Sequence, residues 1–502
     1  MRHTKIERVR EINRDDAKAE GFFPGMNGLS CFFDPKSVAL VGASHSELKL
    51  GGVVLKNLLK LKGRIKIFPV NPKYPSLMGI RSYPSVEEIN GGIDLAIIIR
   101  PADEVPSIIE QLAGKKGKKS KKSKKTKTSC ALVVSAGFAE AGRSELQSTL
   151  RKTARDCGIR LMGPNCMGVY NAVNGLDTFI LPSERLPRPR AGGVAVITQS
   201  GAVLSLLFES MVKADIGVSI TVHYGNAADV DESDILEFLE KDSETHAVVS
   251  YLESVKDGRR FIKKARSLSR KKPLIILKGG KAAAGQAAAF SHTGRLAGAY
   301  EVFHSILKQY GIPEASDFED LVDSALALST DSEYRKRTKK KYSQTTKIKT
   351  KNSEGNRILV LTNGGGAGVL ASDECVKQGF SQPELPSSSL ASLKKVFPAF
   401  YGFGNPLDIT AQGGDRDYRV ALNELGESYD GFVVIALSAV TGITPALAKI
   451  LADFRKRTGK PVAFHTGQDE TGRNIAGEAR KSGIPSFPTP ERAVRALVHL
   501  LS

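Results

Sequence analysis

The sequence predicts an α/β protein built from three Rossmann/flavodoxin-like parallel-sheet domains, and three observations carry that reading. The chain has 502 residues and is 41% hydrophobic, more than one ordinary core accommodates. Short β-branched runs alternate with amphipathic stretches throughout, which is the pattern of βαβ units. One proline-rich stretch and the second of two lysine-rich runs divide that pattern into three blocks.

Residues 1–30 mix basic and acidic side chains and read as an N-terminal extension. The first domain is expected over 31–180, with strands at Val38–Val41, Ile65–Val70, Leu95–Ile99, Leu132–Val134 and Ile159–Leu161 and a lysine-rich insert at 115–127. The stretch LPSERLPRPR, from Leu181 to Arg190, reads as extended linker, because closely spaced prolines remove backbone donors. The second domain is expected over 191–330, with strands Val194–Ile197, Val218–Val222, His246–Tyr251 and Leu274–Leu277 and a closing helix Asp317–Leu328. A basic linker at 331–355 leads to the third domain, 356–502. Its strands are expected at Ile358–Leu361, Phe432–Leu437 and Val462–His465. Thr489 should cap a final helix Pro490–Leu501 that carries proline at its first position.

Composition narrows the function classes. No run of 18 or more uncharged apolar residues occurs and the first 30 residues hold no apolar core of a leader, so a cytoplasmic protein without membrane spans is expected. Five cysteines lack CxxC or His-spaced patterns, which argues for reduced thiols and against a metal site. The net charge of +20 points towards nucleic acid until its distribution is considered. Residues 115–127 and 335–351 each hold nine Lys or Arg and no acid, so together they supply 18 of the 20 excess charges. Runs of like charge without interleaved aromatic residues are usually solvated tethers, and nucleic-acid contact by counterion release is the minor reading.

Five segments could carry chemistry. After the first strand, Gly42, Ala43 and Ser44 form a small-residue turn into a helix, where backbone N–H groups can approach a phosphate. The spacing is not GxGxxG. The second strand ends in Asn71-Pro72-Lys73, and a cation there suits the phosphorylated ribose of CoA or NADP better than NAD; the bland alternative is a plain turn and a surface lysine. Gly163-Pro164-Asn165-Cys166 follows the last strand of the block, at the edge where open α/β sheets bind ligands. Cys166 is either a nucleophile or a buried thiol lining the site, and the absence of a nearby partner favours the second.

In the second block, Ser200 and Gly201 open a helix after the strand Val194–Ile197, as a plain N-cap or as a phosphate cradle. His292 sits in the small-residue run AAAFSHTGRLAG. A lone histidine is more often structural than catalytic. To attack a phosphoryl group it would need a partner that fixes its tautomer, and Glu253, at the end of the block's third strand, can meet a histidine in the loop after the next strand over the sheet edge.

Several of these segments together resemble the α subunit of ADP-forming acetyl-CoA synthetase and, more distantly, of succinyl-CoA synthetase. The likeness runs from about Phe32 to the end. It rests on FFDPKSVALVGAS, PVNPKY, GPNCMGVYN, ITQSGAV, YGNAADVDESDILEFLE, YLESVKDGRRF and above all SHTGRLAGAY. The basic runs and the pair His223-Tyr224 depart from the family pattern. The resemblance implies that acyl-CoA and phosphate give an acyl phosphate, that the phosphoryl group passes to a histidine, and that ADP takes it to form ATP. By the same resemblance His292 is the phosphorylated residue, Glu253 its orienting carboxylate, and Ser200 and Gly201 hold the phosphoryl group. Gly42, Ala43, Ser44 and Lys73 match CoA-binding segments, and Asn165 and Cys166 fall at the thioester end.

No Walker A loop or ATP-grasp region is visible, so ADP/ATP and Mg2+ are expected mainly on a separate ATP-grasp β subunit in an α2β2 assembly. The acid or acyl-CoA is the small substrate. The competing readings are an NADP-dependent dehydrogenase, which leaves the His292 segment unexplained, and a non-catalytic CoA-binding regulatory or scaffold protein.

Overall fold

The computed structural model describes residues 28–114, 128–281, 300–330 and 356–501. His292 and both lysine-rich runs therefore lie outside the described residues. Three sheets organise the chain.

The first sheet contains β1 (Ser37–Val41), β2 (Lys66–Val70), β5 (Ile93–Ile98), β6 (Thr128–Val133) and β7 (Arg160–Met162) in the order β2-β1-β5-β6-β7, all parallel. A small antiparallel ribbon, β3 (Ser76–Leu77) with β4 (Ile80–Arg81), follows β2. The second sheet is built from β8 (Gly168–Asn171), β9 (Leu176–Asp177), β10 (Ala191–Thr198), β11 (Val218–His223), β12 (Ala247–Leu252) and β13 (Leu274–Lys278) in the order β13-β12-β10-β11-β8-β9. The third takes β14 (Ile358–Thr362), β15 (Gly402–Phe403), β16 (Leu407–Asp408), β17 (Gly431–Ala436), β18 (Val462–Thr466) and β19 (Ser486–Phe487) in the order β15-β16-β14-β17-β18-β19.

The central strands are the apolar runs of the sequence, since a parallel strand covered by helices on both faces must be apolar on both. Every residue of β1, β14, β17 and β18 is buried. The sequence placed residues 168–177 in the first block, but β8 and β9 form a hairpin that pairs antiparallel with β11 and edges the second sheet. The chain between β7 and β8 thus crosses from one sheet to the next.

The cores follow the sheets. Leu40, Ile97 and Leu132 share a buried cluster with Ile197, Val222 and Val248, so the first two sheets are packed through a common interior. Val196, Val249 and Ile275 share another with Val360, Val433 and Ile435. Two helices stitch this second junction. Asp323 of α1 (Phe318–Thr330) accepts from the Arg492 guanidinium of α2 (Pro490–Leu501) at 2.6 and 2.7 Å, and His499 bonds Asp320 at 3.1 Å. The Thr489 hydroxyl accepts from Arg492 N, as the capping pattern predicted.

One expectation is corrected. Cys31 and Cys130 are joined as a disulfide, with Cα atoms 6.1 Å apart, whereas reduced thiols were the default reading; their pairing across 99 positions has no spacing pattern to announce it. Cys157, Cys166 and Cys375 are free thiols. Among the described residues no helix is long and apolar enough to cross a membrane, and no cluster of potential metal ligands occurs.

Candidate active site between the first and second sheets

The carboxyl ends of β1, β5, β6 and β7 face the carboxyl ends of β10 and β11 across a cavity of about 570 Å³. Three of the residues selected from sequence line it: Asn165, Cys166 and Gly201. Arg100, Gln199 and His223 also line it, and sequence reasoning assigned them no role.

The first wall begins at the turn after β1. Gly42 has φ +94, and a Cβ there would stand 2.2 Å from the Ile99 carbonyl oxygen, so only glycine lets the turn pack against a residue of the cavity wall. Asn71 holds the turn from β2 by donating to the Ala43 carbonyl at 2.8 Å, while its Oδ1 accepts from Lys73 N at 2.9 Å. The Ser44 hydroxyl accepts from Ser46 N at 3.1 Å. Lys73 is exposed and lies outside the cavity lining.

Asn165 takes a left-handed conformation, φ 57, with its N–H on the Ser135 carbonyl at 2.9 Å. Cys166 is 2% exposed and donates its S–H to the Val133 carbonyl at 3.2 Å; burial pushes the thiol up to about 12. A thiol so placed remains neutral near pH 7 and lines the wall instead of attacking.

The second wall is the turn between β10 and α3 (Gly201–Lys213). Thr198 Oγ1 donates to the Ser200 carbonyl at 2.9 Å and accepts from Ser200 N at 3.0 Å, closing the turn. The Ser200 hydroxyl caps the helix by accepting from Val203 N at 3.4 Å, which leaves the first N–H groups of α3 directed at the sheet edge. Gly201 packs against Met167, and a Cβ there would stand 2.7 Å from Met167 Sδ and push that side chain aside.

Glu253 lies alongside because β12 pairs with β10 in register, Tyr251 opposite Thr198. Its backbone is held from below. Gln199 Oε1 accepts from Glu253 N at 2.5 Å and Ser254 N at 2.9 Å, and its Nε2 donates to the Ser254 carbonyl at 2.8 Å. The ammonium of Lys278, 3% exposed, donates to the Glu253 carbonyl at 2.7 Å, and burial holds that lysine below its ordinary value. Burial, and then the charge of Glu253, pushes the Tyr251 hydroxyl up to about 12, so it stays a donor to the carboxylate.

The segment bearing His292 is flanked by Lys281, three residues beyond β13, and by Tyr300. Its two described stems approach one another, with Lys281 Nζ 5.7 Å from the centre of the Tyr300 ring.

A turn of the same design closes β14. Thr362 Oγ1 donates to the Gly364 carbonyl at 3.0 Å and accepts from Gly364 N at 2.9 Å, and Asn363 Oδ1 accepts from Leu437 N at 2.8 Å, as Gln199 does from Glu253 N. The only trace of this in the sequence is the likeness of TQSG to TNGG, too short to stand as a repeat.

Comparison with known proteins agrees with this architecture. Residues 36–172 match a family described as CoA binding domain, 191–328 one described as Succinyl-CoA ligase like flavodoxin domain, and 358–463 one described as Ligase-CoA domain. The chain is 36% identical to acetate–CoA ligase (ADP-forming) I of Archaeoglobus fulgidus over 93% of its own length, and spans 62% of the length of that protein. It is 33% identical to the alpha subunit of acetate–CoA ligase (ADP-forming) II of Pyrococcus furiosus, covering 94% of itself and 97% of that subunit. Among solved structures it resembles an acetyl-coenzyme A synthetase 1 of Ca. Korarchaeum cryptofilum in complex with phosphate and ADP. The TM-score is 0.81 and the identity 34%, over 95% of this chain and 96% of the other. Identity of this order across nearly the whole of an alpha subunit, together with three matched domains in sequence, establishes that the chain belongs to the ADP-forming acetate–CoA ligase family.

Proposed function

We propose that the chain is the α subunit of an ADP-forming acyl-CoA (acetyl-CoA) synthetase, interconverting acyl-CoA, ADP and phosphate with acid, CoA and ATP. The observation that carries this reading is the shared cavity, in which the Asn165–Cys166 wall faces the amino end of α3 at Gly201. CoA fits the first wall by its chemistry: a glycine turn that a Cβ would fill, a mainly apolar lining for a pantetheine arm, and Lys73 outside for a phosphate.

In the synthetic direction of acyl phosphate, a phosphate oxygen attacks the thioester carbon, the C–S bond breaks, and the thiolate leaves as CoA. The first N–H groups of α3, with Ser200, hold the phosphate and offset its charge. His292 then takes the phosphoryl group by attack on phosphorus, releasing the carboxylate acid. Glu253 orients the imidazole and stabilises the charge it acquires, from a backbone fixed by Gln199 and Lys278. ADP finally accepts the phosphoryl group from the histidine.

The nucleotide, with Mg2+, is proposed to bind mainly to an ATP-grasp β subunit in an α2β2 assembly in the cytoplasm. Support comes from the name of the Pyrococcus alpha subunit and from the greater length of the Archaeoglobus relative. Neither relative is named as a dehydrogenase.

The test is to incubate the chain and its partner subunit with Mg2+ and γ-labelled ATP, for wild type and His292→Ala. Acid-labile, base-stable label on wild type, absent from the variant and discharged by acetate plus CoA, is expected. No label in the presence of a nucleotide-binding partner would overturn the reading.

A further inference from the structure

We infer that His223 is a positioning residue that keeps the two walls of the cavity in register for acyl transfer between CoA and phosphate, an inference that rests on the acyl-phosphate reading above. β11 lies between β10 and β8, so its last residue emerges between the loop that carries Cys166 and the turn that carries Ser200. The ring is 5% exposed and bonds to both. Met167 N–H donates to His223 Nδ1 at 2.7 Å, which leaves Nδ1 unprotonated and puts the ring hydrogen on Nε2. Nε2 in turn lies 2.9 Å from the Gln199 carbonyl and donates to it.

Each bond ends on a main-chain atom one residue from a wall residue of the proposed mechanism, Cys166 on one side and Ser200 on the other. Ring and walls are adjacent as well. A Cβ on Gly201 would stand at ordinary contact distance, 3.8 Å, from His223 Cε1, and at 2.7 Å would crowd Met167 Sδ. Because the bonds run to backbone, substitution at 167 or 199 leaves them intact and only residue 223 can break them.

The two half-reactions make different demands on this link. When CoA attacks acyl phosphate, the C–S bond forms and the acyl C–O bond breaks. Phosphate leaves with the electron pair and the thiol proton passes to it. Sulfur from the Cys166 side and phosphate on the Gly201 side must then meet at one carbon, with reacting atoms about 3–3.5 Å apart, and a misplacement of about 1 Å can cost roughly 100-fold. Phosphorylation of His292 by acyl phosphate uses the Gly201 wall and Glu253 but not the Cys166 wall.

The experiment takes the full-length chain with its partner subunit, without nucleotide, as wild type, His223→Leu and His223→Gln. Two reactions are followed: acetyl phosphate plus CoA giving acetyl-CoA and phosphate, and labelling of His292 by ³²P-acetyl phosphate without CoA. Leucine fills the ring's place without bonds, whereas a glutamine carboxamide offers one acceptor and one donor. His223→Leu should lower kcat for acetyl-CoA formation about 100-fold, with KM for CoA changed less than about threefold and histidine labelling changed less than about threefold. His223→Gln should recover at least about tenfold of the loss.

Parallel losses in both reactions, no loss in either, or a glutamine variant no better than leucine would overturn the inference. If leucine prevents folding, the same comparison is made between wild type and His223→Gln, alongside the imidazole ¹⁵N spectrum of the wild type. A ring protonated on Nδ1 there would overturn it. A wild type inactive in both reactions overturns the acyl-phosphate reading and this inference with it.

Discussion

At the scale of single residues, the decisive observations concern which polar atoms are held and by what. Cys166 sits in the wall of the cavity, yet its thiol is committed to the Val133 carbonyl and raised to about 12 by burial. Cys166→Ala should therefore reduce kcat by no more than about threefold, whereas loss of a covalent nucleophile costs orders of magnitude. Native protein at pH 8 should also alkylate at Cys166 far more slowly than unfolded protein, as peptide mapping after iodoacetamide would read; rapid labelling of the native chain would contradict this placement. Asn165, Cys166 and Gly201 were legible because a ligand edge of a parallel sheet is the few residues after a strand, and strands are legible as apolar runs. His223 and Gln199 were not. Their work is done by bonds to residues 56 and 24 positions away in one case, and 54 and 55 in the other, and no spacing in the chain encodes such partners. The one trace was that His223 departs from the family pattern. Lys73 is the opposite case, chosen for its charge and position after β2 but exposed outside the cavity, where only the phosphate end of a long ligand could meet it.

Among elements, the longer strands matched expectation because burial on both faces forces continuous apolar composition, while the two-residue strands did not. β15, β16 and β19 are two residues long, with too little pattern to recognise. The junction of β7 with the second sheet is ionic. Arg160 of β7 bonds Asp229 at 2.9 Å and reaches Asp234 at 3.4 Å. Arg260 bonds Asp231 at 3.0 Å and also engages Asp234. These groups sit at or next to the start of α4 (Glu232–Lys241), where Asp231 is both cap and counter-ion. Removing Arg160 strips the largely buried Asp229 of its ion pair while Asp231 and Asp234 keep Arg260, so Arg160→Ala should cost about 3 kcal/mol in denaturant unfolding, and Arg160→Ala/Asp229→Asn appreciably less than the two single changes summed. Strict additivity would show that the network does not act as a unit.

For the whole molecule, placement of the insert follows from its flanks. The described chain stops at Gly114, just past the helix Val105–Leu112, and resumes at Thr128, the first residue of β6. Both points lie at the amino edge of the first sheet, opposite the cavity. Deleting 115–127 should change kcat and KM for CoA by less than about twofold, while any affinity for polyanions should fall and depend less steeply on salt. A large loss of activity would place the lysines in the reaction. Three sheets, their order in the chain and the basic interruptions were all readable in advance, because composition and period act locally. How the sheets lock together was not, since that depends on where one hairpin pairs.

That hairpin, β8 with β9, belongs by chain position before the proline-rich stretch and by pairing after it. The obvious seam in the chain is therefore not a seam in the molecule. A gene cut at Leu181 would hand the outermost strands of one sheet to the wrong fragment, leaving β11 an open edge ready to take a strand from a neighbour. Exchange of these blocks between proteins would work only at a breakpoint before Gly168, within the loop that lines the cavity, so the architecture ties the inheritance of the first wall to that of the second.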